Sequence, residues 1–335
     1  MRGNQLLLRF QRWQEIIGEP PLQQIDHPLL KEKNVDLRVL RTDLVHPVIS
    51  GNKAYKLKYN LDAAIQQQAM GVLSFGGAWS NHLHALAYSC YQLQLPCVAV
   101  IRGEPELILK SAMLQDVKRW GCLLHFVSRK EYRLREEADW LQKLSETFPG
   151  YFIVPEGGSS PLAEPGVAEL SHQLEQACQK SGGREESELP DQVWCAVGTG
   201  GTLAGLLAGR KKPYHLLGVP VLKGGDFLWQ QIADRFSAAG DDVPGNWSLL
   251  LDGHGGGYGK VSEDLLNRMA SLETTLSSDC VSLPLEPVYT GKLFLRFWQA
   301  LENGELPEGS RVVLVHTGGL QGRRGYGLPW SSPDA

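Results

Sequence analysis

Val197-Gly198-Thr199-Gly200-Gly201-Thr202 follows a strand-like run, Gln192 to Val197, and opens a helix-like one, Thr202–Ala208. Strand, glycine turn and helix in that order make one unit of an alternating α/β fold. Working outward, apolar runs of strand length recur at Val35–Leu40, Val72–Phe75, Cys97–Ile101, Cys122–Val127, Phe152–Val154, Leu216–Val221 and Val312–Val315. Helix-compatible stretches separate several of them: Asn81–Leu93, Ser111–Trp120, Glu131–Thr147 and Glu164–Gln179. Strands that read as unbroken apolar runs are buried on both faces, which predicts open, twisted, mostly parallel sheets covered by helices. Ligands of such folds sit at the carboxyl ends of the strands, where the glycine turn falls.

The chemistry of that turn is anion binding. Glycines let successive backbone N–H groups converge, and the helix that follows adds the positive end of its dipole. Gly198, Gly200 and Gly201 supply the turn, and Thr199 and Thr202 add hydroxyl donors. A P-loop would end in Gly-Lys-Ser/Thr, which is absent. A dinucleotide fingerprint would carry glycine where Leu203 stands and an acid where Leu222 and Lys223 stand. A second motif, Ser50-Gly51-Asn52-Lys53, places one lysine in a short polar turn after Val35–Leu40. A lysine amine forms a Schiff base with an aldehyde, and a helix N-terminus holds a phosphate. Pyridoxal 5′-phosphate needs both.

Other constellations join these. Phe75-Gly-Gly-Ala-Trp79-Ser80-Asn81-His82 links a strand to a helix, so Ser80 and Asn81 fall at N-cap or first-turn positions, suited to capping or to a carboxylate. His82 and His84 lie two residues apart, off a common helical face, and are read as non-metal histidines. Glu156-Gly-Gly-Ser159-Ser-Pro161 and Asp252-Gly-His254-Gly-Gly-Gly-Tyr258 are glycine loops. Pro287-Val-Tyr289-Thr290-Gly-Lys292 begins a helix, and Val315-His316-Thr317-Gly-Gly319 ends a strand. Tyr289 could stack on a ring or move a proton, and Thr290 and Thr317 could hydrogen-bond a ring nitrogen.

Composition sets the outer limits. The chain has 335 residues, 42% hydrophobic and 21% charged, with a net charge of −4. That length allows two cores, and that charge gives no footprint for nucleic acid. No apolar stretch is long enough to span a bilayer. Met1 to Ile17, with Arg2, Arg9 and Arg12 around Leu6–Leu8, is read as an amphipathic helix or arm rather than a signal peptide. Six cysteines (Cys90, Cys97, Cys122, Cys178, Cys195 and Cys280) form no CxxC pair and read as reduced core thiols of a cytoplasmic protein, with no metal site. Ser181 to Pro190 reads as a solvated loop.

Taken in order, Gly51-Asn52-Lys53, Gly76-Gly77 with Ser80-Asn81-His82, Gly157-Gly-Ser-Ser-Pro-Leu162, Gly198–Gly205, Pro287–Lys292 and His316-Thr-Gly-Gly319 resemble one family along nearly the whole chain. That family is the 1-aminocyclopropane-1-carboxylate (ACC) deaminases and D-cysteine desulfhydrases, pyridoxal-phosphate enzymes of fold type II, the tryptophan-synthase-β-like fold. The resemblance implies that Lys53 holds the cofactor, that Lys56 stands on its phosphate side and that Gly198, Thr199, Gly200, Gly201 and Thr202 cradle the phosphate. Asn81, Thr290 and Thr317 are implied as further cofactor contacts. Ser80, Asn81, His82, Trp79 and Ser159 fall on the substrate side, and Lys53, Ser80 and Tyr289 are implied as catalytic. ACC deaminases carry Glu after the matching tyrosine and Leu after the matching histidine, whereas D-cysteine desulfhydrases carry hydroxyl residues at both. Thr290 and Thr317 therefore lean towards D-cysteine. Trp79 departs from the glutamine usual before Ser80.

The expectation is thus a pyridoxal-phosphate-dependent lyase or deaminase acting on a small amino acid. D-cysteine desulfhydration is the main reading and ACC deamination the alternative. A non-catalytic binder of the cofactor or of a small acid is the reading of a different class, against which Lys53, Ser80, Asn81 and Tyr289 argue together. Residues 1–56 and 156–335 are expected to form a large cofactor-binding domain and 57–155 a smaller inserted one. The family also implies a homodimer.

Overall fold

The structure of the protein, a computed structural model, describes residues 2–182, 189–277 and 281–330. Residues 183–188 of the expected loop, and Cys280, lie outside the described residues. The strands in chain order are β1 (Leu22–Ile25), β2 (Asp36–Leu40), β3 (Gly71–Gly76), β4 (Cys97–Arg102), β5 (Leu123–Val127), β6 (Tyr151–Val154), β7 (Gln192–Val197), β8 (His215–Pro220), β9 (Trp247–Leu249) and β10 (Arg311–Val315). The chain divides into two compact units, one of Met1–Gly18, Val45–Gly166 and Gln321–Ala335, the other of Glu19–Leu44 and Val167–Leu320. The expected 57–155 segment falls inside the first unit, to which Lys53, the N-terminal helix and the segment from Gln321 also belong.

The first unit is built on a four-stranded, wholly parallel sheet in the order β5-β4-β3-β6. Its strands read as apolar runs because helices cover them. Leu73, Phe75, Val98, Val100 and Val127 are buried with Tyr132 and Leu144, and Trp140, Leu141 and Phe148 pack against that cluster. Each such buried side chain contributes roughly 1.5–3 kcal/mol. The N-terminal arm is a helix, Arg2–Glu15, that buries Phe10 and Trp13. The expected Glu131–Thr147 helix is two pieces, Arg129–Tyr132 and Ala138–Thr147, the first started by a capping box from Ser128 and Glu131.

The second unit has a six-stranded sheet in the order β1-β2-β10-β7-β8-β9. All its pairings are parallel except β1 with β2. Val193, Cys195, Leu216, Val219, Val312 and Leu314 are buried along its centre. β1 and β9 escaped the sequence reading because Leu-Gln-Gln-Ile and a three-residue Trp-Ser-Leu are edge strands without an apolar run. The helices Phe227–Ala239 and Glu263–Leu276 were also not expected.

Helix Gly201–Gly209 packs so closely on helix Ala163–Gly182 that a β-carbon at Gly209 would overlap the backbone of Ala168. Neither backbone can yield without moving a helix. Gly209→Ala is therefore expected to destabilise the protein by about 1–3 kcal/mol, read as a lower urea midpoint. A midpoint equal to wild type would show that the helices separate freely.

Candidate active site

The lysine motif is a helix start rather than a turn. Gly51, at φ +75°, bends the chain, and Asn52 and Lys53 open the helix Asn52–Gln66. A positive φ suits glycine, which has no β-carbon to clash. The helix is seated by contact as tight as that at Gly209, since a β-carbon at Gly166 would overlap the carbonyl of Tyr55. It is also stapled to the Gly157-Gly158 turn. Lys56, buried, donates to Ser159 Oγ at 3.2 Å, and Ser160 Oγ donates to Asn60 Oδ1 at 2.9 Å. Burial alone lowers the Lys53 ammonium to about 8, because leaving water disfavours the charged form.

In the same unit, Ser80 caps the helix Asn81–Leu93, its Oγ accepting from Leu83 N at 3.2 Å. Gly76 makes this turn possible, since a β-carbon there would come within 2.6 Å of Ser80 Oγ. His82 is buried in the first turn of that helix. Ser74 Oγ donates to the Val154 carbonyl at 2.7 Å, so the 2.8 Å contact with His82 Nε2 makes that nitrogen the donor. His82 Nδ1 is then a bare lone pair, buried and without a hydrogen bond. Burial first, then the charges of Lys53 and Lys56, holds the ring neutral well below its ordinary pKa. A β-carbon at Gly158 would meet this imidazole at 3.1 Å and the Lys56 stem at 3.5 Å, so lysine, histidine and glycine turn form one cluster. Ser50 Oγ is a second buried polar atom without a hydrogen bond.

The second unit carries the other predicted groups. Gly200, at φ +76°, stands at the N-cap of helix Gly201–Gly209, which has no side-chain cap. Ala204 N is the first amide bonded back along the chain, to Gly200 O, so the helix's own ladder does not use the N–H groups of Gly201, Thr202 and Leu203. Gly198 is the close approach for Tyr289, whose ring would lie 3.1 Å from a β-carbon there. Thr199 is exposed and Thr202 buried. Tyr289 OH lies 3.3 Å from Tyr258 OH, a phenol that the sequence reading did not single out. Tyr258 belongs to the 252–259 glycine loop. That loop is pinned by the buried Lys292 ammonium, which donates to Gly257 O at 2.8 Å and whose pKa burial lowers to about 8.

Thr290 and Thr317 are not equivalent. Thr290 is wholly buried, and its hydroxyl accepts from Glu286 N at 2.7 Å and donates to Glu286 O at 3.2 Å. Its one proton is committed to its own chain. Thr317 leaves the carboxyl end of β10, and β7, which leads to Gly198, is the adjacent strand. His316 fixes that turn: Nε2 donates to Pro284 O at 2.7 Å, so Nδ1 accepts from Gly318 N at 3.2 Å. Burial keeps this histidine neutral as well.

Each unit therefore holds its own group of predicted residues. Lys53, Lys56, Trp79, Ser80, Asn81, His82 and Ser159 belong to the first, and Gly198–Thr202, Tyr289, Thr290 and Thr317 to the second. Two residues from the C-terminal segment were missed. Gln321 donates to Asn81 Oδ1 at 2.5 Å, and a β-carbon at Gly325 would meet the Trp79 indole at 3.1 Å. The donor set fits pyridoxal phosphate: a low-pKa amine for the aldehyde, and a glycine turn without a capping side chain, at a helix N-terminus, for the phosphate.

The chain matches the family described as "Pyridoxal-phosphate dependent enzyme" over residues 14–318. It is 30% identical to a Pyrococcus furiosus protein provisionally named 1-aminocyclopropane-1-carboxylate deaminase, across 96% of both chains. It is 28% identical to a D-cysteine desulfhydrase of Klebsiella pneumoniae, across 94% of this chain and 96% of that one. Among solved structures it is similar to an ACC deaminase homologue, with a TM-score of 0.77, 27% identity and 92% of each chain covered. A threonine deaminase from Solanum lycopersicum shares the fold, with a TM-score of 0.62 and 16% identity across 95% of this chain and 89% of that one.

An amine with a pKa of about 8 is mostly protonated at pH 6.5 and mostly free at pH 9. Covalent uptake of pyridoxal phosphate by apoprotein is thus expected to quicken roughly tenfold per pH unit below 8 and to level off above it. Stopped-flow absorbance measures this. A midpoint above 10 would mean that Lys53 stays hydrated.

Proposed function

The chain belongs to the family of pyridoxal-phosphate-dependent enzymes, and on that premise we propose that it is a lyase acting on a small D-amino acid. The main reading is D-cysteine desulfhydration: D-cysteine and water give pyruvate, hydrogen sulfide and ammonia. The observation that carries it is the pair of neutral hydroxyls, Thr290 and Thr317, following Tyr289 and His316. Neither position offers a carboxylate to hold a proton on a ring nitrogen. An easily expelled thiolate asks for less stabilisation of charge at Cα than does opening a cyclopropane ring.

When bound, pyridoxal phosphate supplies an aldehyde for amines and a ring that draws electrons from Cα. The residues of this chain do the rest. We assign the aldehyde to Lys53, whose amine burial brings near neutrality, and the phosphate to the first-turn amides of Gly201, Thr202 and Leu203 with Lys56 as a counter-charge. Ser80 and Asn81, at the N-terminus of a helix, are assigned the substrate carboxylate. Lys53 takes the Cα proton, and Tyr289, with Tyr258 beside it, is the second acid–base group. Thr317 is the hydroxyl assigned to the ring nitrogen, because that of Thr290 is bonded in both directions to Glu286. Cytoplasmic location and a homodimer complete the proposal.

ACC deamination is the second reading. It is favoured by the identity of 30% to the Pyrococcus furiosus protein and by the structural likeness to an ACC deaminase homologue.

Sulfide and pyruvate release from D-cysteine, run beside L-cysteine and ACC with a Lys53→Ala control, separates the readings. Release from D-cysteine alone, abolished in Lys53→Ala, is the expected result. Ammonia and 2-oxobutanoate from ACC, with no sulfide from D-cysteine, would replace the main reading by the second. Cofactor uptake without turnover of any of the three would point to another substrate.

A further inference from the structure

We propose that Gln321, in the C-terminal segment, is a positioning residue that fixes the Asn81 amide as a pure donor and thereby sets the site's preference for a substrate carboxylate. The inference rests on the assignment of Asn81 to the substrate side. Its geometry lies wholly within the first unit. Gln321 is buried, and its Nε2 lies 2.5 Å from Asn81 Oδ1 and 3.4 Å from the backbone carbonyl of Trp79. Its Oε1 faces Arg324 Nη2 at 3.4 Å.

An amide's oxygen and nitrogen are told apart by their partners, and here the partners decide. A backbone carbonyl only accepts and a guanidinium only donates. Gln321 must therefore turn Nε2 to Trp79 and Oε1 to Arg324. Arg324 is itself held, in an ion pair with the buried Asp116 at 2.7 Å and lying 4.5 Å from the Trp330 ring centre. Asn81, facing a fixed donor, must present Oδ1 to it. Its Nδ2, with two N–H donors, has no hydrogen bond among the described residues, and Asn81 is partly exposed. The Asn81 and His82 backbone amides of the first turn also lack intrahelical partners. Three features thus agree: a donor-only side chain, first-turn amides outside the helix ladder and the positive end of a 13-residue helix. A carboxylate satisfies all of them, and an ammonium satisfies none. Partners behind a ligating group that fix its orientation shape what it binds.

The test compares Gln321→Glu with Gln321→Leu in cofactor-loaded protein. Glutamate is nearly the size of glutamine but accepts from Asn81 Nδ2, so it reverses the amide and turns Oδ1 to the ligand. Leucine merely releases it. Binding of D-alanine, which has a carboxylate and no β leaving group, is followed by the visible band of the bound cofactor, beside ethylamine, which lacks the carboxylate. Gln321→Glu is expected to weaken D-alanine binding about 10- to 100-fold and leave ethylamine unchanged. Gln321→Leu is expected to weaken D-alanine about threefold or less, with KM rather than kcat moving for the reacting substrate. Cofactor content and thermal midpoint are read for every variant.

Equal weakening of D-alanine and ethylamine, or a larger loss in Gln321→Leu than in Gln321→Glu, would reduce Gln321 to a structural role and overturn the proposal. So would a Gln321→Glu protein indistinguishable from wild type. Wild type that takes up cofactor through Lys53 yet binds D-alanine no tighter than ethylamine overturns this inference alone. Protein that takes up no cofactor overturns the functional reading and this inference with it.

Discussion

An amine attacks an aldehyde through its lone pair, so the role proposed for Lys53 depends on shedding a proton near neutral pH. The fold achieves this by taking the group out of water, and burial is the whole cause of the drop to about 8. Its neighbours are arranged to keep that cause undiluted. His82, close enough to feel the charges of Lys53 and Lys56, is held neutral with its proton committed to Ser74. A carboxylate in its place would raise the lysine and undo the effect. The glycines at 51, 158 and 166 have the same purpose in steric terms. They let helix Asn52–Gln66 start abruptly and press against backbone, where a side chain would hold it off.

Neutrality recurs in the second unit. His316 is buried in one tautomer, Thr290 spends its hydroxyl on Glu286, and the helix at Gly201 begins on backbone amides rather than on a capping side chain. What remains to hold an anion is almost all backbone there, whereas the first unit offers lysines, a serine and an asparagine.

How much of this was legible follows from distance along the chain. Parallel strands announced themselves as apolar runs, and Ser80 as a cap, because those signals lie within a few residues. The glycine turn at 198–201 was readable for the same reason. Lys53 stands out in the sequence but its helix does not, since Gly51 marks a bend whether or not a helix follows. The engagement of Thr290 turns on Glu286, four residues earlier, and on a backbone geometry that threonine's letter does not reveal. Tyr258 hid in a glycine loop whose position is set by a buried lysine from another helix. The contact between Gln321 and Asn81 spans 240 residues, and no local pattern encodes it.

That span also bears on how the molecule is born. The first unit is assembled from three separate lengths of chain, and 154 residues, all belonging to the second unit, intervene between Gly166 and Gln321. At ribosomal rates of about 5–20 residues per second, the sheet β5-β4-β3-β6 emerges roughly ten to thirty seconds before the segment that pins Asn81. The nascent first unit must therefore wait, its Trp79 not yet met by Gly325, while β7 to β10 of the second sheet are made. The pairing of Gln321 with Asn81 forms only after that, in a chain whose second sheet already exists.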